Sequence, residues 1–119
     1  MQYIRLFIAA LVILLIYGTV YAETYWVDDN GAAAWSACKG ATPLSGTNAC
    51  SVATMVAGAW VAGDLIYFRE GTYNYSTLYG QHISINSKAG SAGNMIELKN
   101  NNGEVVSFVR TYGIDMSGI

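Results

Sequence analysis

Gly63-Asp64-Leu65-Ile66-Tyr67-Phe68-Arg69-Glu70-Gly71-Thr72-Tyr73 is the stretch on which the reading of the fold turns. Gly63-Asp64 is a turn signal. From Leu65 to Arg69 apolar residues alternate, with Ile66 and Phe68 as inward candidates. A period of two buries one face of a strand and leaves the other wet. Gly71 allows a tight turn out of the strand, after which Thr72 and Tyr73 restart extended structure. The pattern then recurs in His82 to Asn86, Met95 to Lys99, Val105 to Val109 and Gly113 to Met116. Their inward pairs are Ile83 with Ile85, Ile96 with Leu98, Val106 with Phe108, and Ile114 with Met116. Connectors rich in Gly, Asn and Ser separate these runs.

Working toward the N-terminus, Ser51 to Ala59 is the one helical candidate. Ser51 caps it, and Val52, Met55, Val56 and Ala59 share a face. Gly58 and Gly63 weaken its end. Residues Ala32 to Cys50 read as a loop, Asp29-Asn30-Gly31 as a turn, and Thr24 to Asp28 as a first strand rich in β-branched and aromatic residues. Many short strands with one helix fit an antiparallel sandwich or small barrel, with Asn102-Gly103 as a hairpin turn. They fit a parallel β-solenoid equally well. Periodicity alone does not separate the two.

The first residues of the 119-residue chain carry a different signal. Arg5 supplies one positive charge, Leu6 to Ile16 is an uninterrupted apolar run, and Val20-Tyr21-Ala22 forms a small-residue cleavage site. These are the parts of a secretory signal over residues 1–22. The alternative is a membrane anchor, but the run is shorter than the roughly 20 residues that span a bilayer. Cleavage after Ala22 leaves 97 residues, enough for one small domain. Arg5 departs with the signal, so five basic residues face eight acidic ones, a net charge of −3. No basic patch remains, which disfavours nucleic acid as a partner. Only 12% of the chain is charged, and a surface of Ser, Thr, Asn, Gly and Tyr suits an extracellular protein facing sugars. No membrane association is expected once the signal is cut.

Two cysteines, Cys38 and Cys50, enter an oxidising compartment with such an export signal. A metal pair lacks partners, because His82 is the single histidine and no further Cys exists. A redox pair would use a tighter C-x-x-C spacing. Compartment and parity favour a structural disulfide around Pro43 and Gly46.

Five segments together resemble the N-terminal part of pectate-lyase-like right-handed parallel β-helix proteins. Tyr25-Trp26-Val27-Asp28 is similar to the opening strand of such domains. Gly63 to Tyr73 resembles their "GD, strand, GTY" signature, and Ser87-Lys88-Ala89-Gly90-Ser91-Ala92-Gly93-Asn94 with Met95 to Leu98 resembles their "SGTAGN, apolar strand" segment. Glu104 to Phe108 and Gly113 to Ile119 look like the strands that follow. Cys38 to Cys50 matches a version of the family with a stapled N-terminal loop. The resemblance implies an all-β fold, the start of a right-handed parallel β-helix with an N-terminal capping helix. Residues 23–62 would form the strand, stapled loop and cap, and residues 63–119 the first coils. A repeat array needs about three or more repeats and a cap at each end, so the expectation is an N-terminal fragment of a longer protein.

For function the resemblance implies work on extracellular polysaccharide as a lyase or glycoside hydrolase, with the catalytic part beyond this chain and Ca²⁺ as a candidate cofactor of the full-length protein. A lyase needs a base and a cation to neutralise a uronate carboxylate, and a hydrolase needs two carboxylates a few ångströms apart. The alternative is a non-catalytic adhesin or glycan-binding solenoid, since fold does not fix function. A third reading is a self-sufficient small all-β secreted domain. Arg69, Glu97, Lys99, Arg110 and Asp115 are the outward charges; Glu97 and Lys99 share one strand face and read as solvated, and Asp115 could join an acidic cluster on a following coil. Asp28-Asp29-Asn30-Gly31 has oxygen ligands but not the spacing of a calcium loop, so it reads as a turn, as does Asp64. His82 reads as a strand-edge residue. Trp26, Trp35 and Trp60 read as core packing, whereas Tyr73, Tyr75 and Tyr79 are the candidates for glycan contact. Asn74-Tyr75-Ser76 is an N-glycosylation sequon.

Overall fold

The structure, a computed structural model, describes residues 21–74, 83–85, 88–109 and 114–115. The expected signal segment up to residue 20 lies outside the described residues, as do Tyr75, Ser76, Tyr79, His82, Arg110 and Met116. The chain forms β1 (Thr24–Val27), a single 3-10 turn (Gly46–Asn48), α1 (Val52–Ala57), β2 (Leu65–Phe68), β3 (Gly71–Asn74), β4 (Ile83–Ser84), β5 (Glu97–Asn100), β6 (Val106–Val109) and β7 (Ile114–Asp115). For Asp115 and the other residues of β4 and β7 the backbone alone is described.

The expected right-handed parallel β-helix is corrected here. The strands gather into small parallel sheets, one of three strands in the order β1-β2-β5 and two ladders of two strands, β3-β6 and β4-β7. No solenoid is detected. Alternation tells which side chains of a strand are buried, but not which strands pair or how many rungs stack. Each ladder here is two to four residues long and two or three strands deep. The antiparallel sandwich fails as well, because all four strand pairings among the described residues are parallel.

Period two did locate the interior. In the three-stranded sheet Tyr25, Ile66 and Leu98 share one rung, and Val27, Phe68 and Asn100 another. Tyr25, Val27, Ile66 and Phe68 are buried and Leu98 is half-buried. The second ladder places Tyr73 beside Phe108. Phe68 meets both rings edge-on, with centroids 5.5 Å away in each case, which joins the two sheets. α1 closes the cluster by burying Val52 and Met55. Its cap is as expected: Ser51 Oγ accepts from the Thr54 amide at 3.1 Å. It ends at Ala57 rather than Ala59, because the chain turns extended at Gly58, which lies against the Trp35 ring with no room for a Cβ.

The outer edge of β1 is covered by the loop tied with the Cys38–Cys50 disulfide. Trp26 N–H donates to Cys38 O, Asp28 N–H to Cys50 O, and Cys50 N–H to Trp26 O, each at 2.9 Å. The bridge therefore holds a cover over a strand edge that would otherwise present unpaired amides. Both cysteines are fully buried.

Arg69, expected as an outward charge, has structural work. Arg69 makes a two-pronged pair with Glu104, Nε to Oε2 at 2.9 Å and Nη2 to Oε1 at 2.6 Å. Its Nη1 donates to Leu44 O at 2.7 Å, and the Glu70 amide donates to Glu104 at 3.0 Å. Arg69, read as an outward charge, is thus a tie between β2, the covering loop and the turn before β6. Bonding to Arg69 holds the Glu104 carboxyl down at about 2, against an ordinary 4.5.

Two predictions follow from these ties. Replacing Cys38 and Cys50 together by Ser lowers unfolding free energy by about 3 kcal/mol, read in urea melts, since the bridge closes a short loop. Glu104, with its depressed folded value, contributes stability that is complete above about pH 4.5 and is lost as pH falls toward 2. Glu104→Gln is accordingly destabilised by about 2 kcal/mol at neutral pH and shows a flatter acid limb in pH-dependent denaturation.

Candidate functional site

The chain leaves α1 through Gly58 and Ala59 into Trp60, which forms one wall of a cleft of about 330 Å³. The opposite wall is the segment from Lys88 to Ile96, and Ile85 and Leu98 complete the lining. Trp60 is fixed by its indole N–H, which donates to Met55 O at 2.7 Å. Its ring lies parallel to Trp35 at 6.3 Å between centroids, and Trp35 in turn stacks on Tyr25 at 3.6 Å. A row of three aromatic rings therefore runs from the core to the cleft wall, and the expectation that Trp35 and Trp60 pack against the core agrees with this row.

The facing segment is shaped by its backbone. Ser91 and Asn94 exchange amide-to-carbonyl bonds at 3.0 and 2.9 Å, with Gly93 at φ 79° in the left-handed region. Gly90 sits close against the facing backbone, since a Cβ there would lie a tight 3.0 Å from Asn94 O and Ile96 N. Lys88 reaches across: its ammonium donates to Gly58 O and lies 5.4 Å from the Trp60 ring centre. The result is an apolar trough of Trp60, Ile85, Ile96 and Leu98, with Lys88 and Ser91 as polar groups and Met95 exposed at its edge. A second hollow of about 250 Å³ lies between β5 and β6, lined by Phe68, Leu98, Lys99, Asn100, Val106 and Phe108.

The residues singled out from sequence are dispersed relative to this cleft. Tyr73, expected to meet a glycan, is buried. Its hydroxyl lies 2.8 Å from Arg69 O and 3.0 Å from Val27 O, a donor shared by two carbonyls. Burial pushes its phenol well above the ordinary range. Trp26 is buried under the covering loop, with its indole N–H on Gly40 O at 2.8 Å. It stacks on Tyr67 at 4.8 Å, and the Lys99 ammonium lies 5.3 Å from the centre of the Tyr67 ring. Both of these partners crowd Tyr67, so it makes a poor platform for a sugar. Lys99 pairs with Glu97 at 3.0 Å in an exposed position, as a solvated strand face does.

The carboxylates have local partners. Asp28 accepts from the amides of Asp29 and Gly46, both at 2.8 Å, and Asp29 accepts from Thr72 N–H at 3.2 Å. Gly31 N–H to Asp28 O closes the turn expected there. Asp64, expected in a turn, is fully buried and accepts from Glu23 N–H at 2.9 Å and Val61 N–H at 2.8 Å. Glu23 pairs with Lys39 at 3.0 Å. The Ca²⁺ that the resemblance attached to a longer protein finds no donor set here: among the described residues no group of three or more His, Cys, Asp or Glu could hold a metal ion. Sequence reasoning missed Lys88 and Met95 as cleft residues. The signal was present in the glycine-rich connector from Lys88 to Asn94, whose tight turns press it back onto Trp60. A scan of family models, a search of curated proteins and a search of solved structures each found no match to the chain.

Proposed function

We propose that the chain works outside the cell on polysaccharide, and that the described part holds glycan in the cleft beside Trp60 rather than cutting it. The single observation behind this reading is the cleft itself, an indole wall and apolar floor with Lys88 and Ser91 as polar groups. A pyranose has an apolar C–H face and a rim of hydroxyls, which suits such a lining, and the volume lies at the low end for small-ligand clefts. A holding role is supported by the carboxylates around the fold, where Asp28, Asp29, Asp64 and Glu104 accept backbone N–H or guanidinium bonds. These oxygens are tied inside the fold, and among the described residues no Asp or Glu lines the cleft. Export through the N-terminal apolar segment accords with the disulfide. No helix among the described residues is long and apolar enough to cross a membrane.

Affinity electrophoresis through gels containing an acidic uronan or a neutral glucan tests the reading. At least one polysaccharide retards the protein, and Trp60→Ala weakens that retardation about tenfold or more while a cooperative urea melt shows that the fold persists. Free migration in every gel contradicts the proposal. Release of reducing ends or unsaturated products during incubation would instead favour the lyase or hydrolase alternative.

A further inference from the structure

We propose that β5 is a self-complementary docking edge through which two copies of this chain join, antiparallel, about a twofold axis at Leu98. The three-stranded sheet has two unlike edges. On the β1 side the disulfide-tied loop covers the strand through Cys38, Gly40 and Cys50. On the other side β5 is the last strand, with no partner beyond it among the described residues. An uncovered edge is a template for pairing with another chain.

Backbone direction fixes what that edge offers. Glu97 N–H donates to Asp64 O and Asn101 N–H to Phe68 O, so the odd-numbered amides of β5 point toward β2. Alternation turns the amides and carbonyls of Leu98 and Asn100 to the open side. In an antiparallel pair centred on Leu98, that residue faces its own copy and the two exchange both backbone bonds. The neighbouring positions then set Glu97 of one copy opposite Lys99 of the other, twice over. These are the non-hydrogen-bonded positions, where side chains approach most closely and opposite charges stabilise the pairing. Glu97 and Lys99 are 54% and 39% exposed at their side chains, so both are free to exchange their present contact for one across the interface.

Apolar exposure lies near this edge in the chain: Met95, two residues before β5, is 69% exposed. A twofold pairing presents the same edge on both copies and closes the assembly at two. A four-residue edge buries little area, so the dimer is weak, with a dissociation constant of about micromolar or higher.

The test is sedimentation velocity over a concentration series, on protein expressed with its own N-terminus in an exporting host. The expected result is a monomer–dimer equilibrium. Glu97→Lys places Lys opposite Lys, and Lys99→Glu places Glu opposite Glu. Each raises the dissociation constant about tenfold or more, as two attractive pairs become repulsive. Mixing the two variants restores dimers, since both cross-strand pairs are again of opposite sign. Circular dichroism of each variant matches the parent, because both sites are on the surface. A wild-type monomer at all concentrations overturns the proposal. So does a dimer indifferent to the charge swaps, or growth into open-ended oligomers.

Discussion

One residue, Asp64, meets the start of three strands, through its carboxylate on the β1 side and its backbone carbonyl on the β5 side. Asp64 is fully buried, and its two oxygens accept the amides of Glu23 and Val61. Its own carbonyl accepts from Glu97 N–H, while the next residue, Leu65, donates to Glu23 O. A single residue thus touches the beginning of β1, β2 and β5. A buried carboxylate is costly unless charge-assisted bonds replace its water, so the two amides must be in place whenever Asp64 is. That requirement favours the observed register of β1 against β2. A slip of one residue would turn Ile66 and Phe68 out of the core and Tyr67 into it.

From that junction the rest is built outward. The register places the Tyr25 and Val27 rungs inward, and α1 covers them with Val52 and Met55. The covering loop bonds along the far edge of β1 and is held by the disulfide and by Arg69 through Leu44 O. The aromatic row from Tyr25 through Trp35 to Trp60 then carries the rigidity of the core to the wall of the cleft. A cleft built this way is set largely before any ligand arrives, which lowers the ordering cost of binding.

Much of the local structure was legible in the residues. Ile66 and Phe68 point inward because their alternation says so, and Ser51 caps the helix because its oxygen can reach the third amide beyond it. The cysteine pair was legible from parity and the export signal. Pairing was not. Short parallel strands are joined by long-range contacts, such as β1 with β2 across 41 positions, and nothing local in either strand encodes its partner. The solenoid expected from resemblance gave way to small separate sheets for that reason. Side chains with two characters misled in the same way. Tyr73 and Arg69 read as surface residues by type, yet backbone carbonyls of Val27, Arg69 and Leu44 give their polar ends partners inside the fold. Trp26 lies on the outward face of its strand and is buried only because a distant loop folds over it.

The claim that Asp64 sets the sheet is tested most directly by native-state hydrogen exchange on wild type and Asp64→Ala. In wild type the amides of Glu23 and Val61 exchange slowly, together with Leu65 and Arg69, which bond to β1. The account predicts that Asp64→Ala releases all four together and also speeds Glu97, because the three strands lose their common junction. Fast exchange at Glu23 and Val61 alone, with Leu65, Arg69 and Glu97 still protected, would show that the sheet holds its register without the carboxylate and would contradict it.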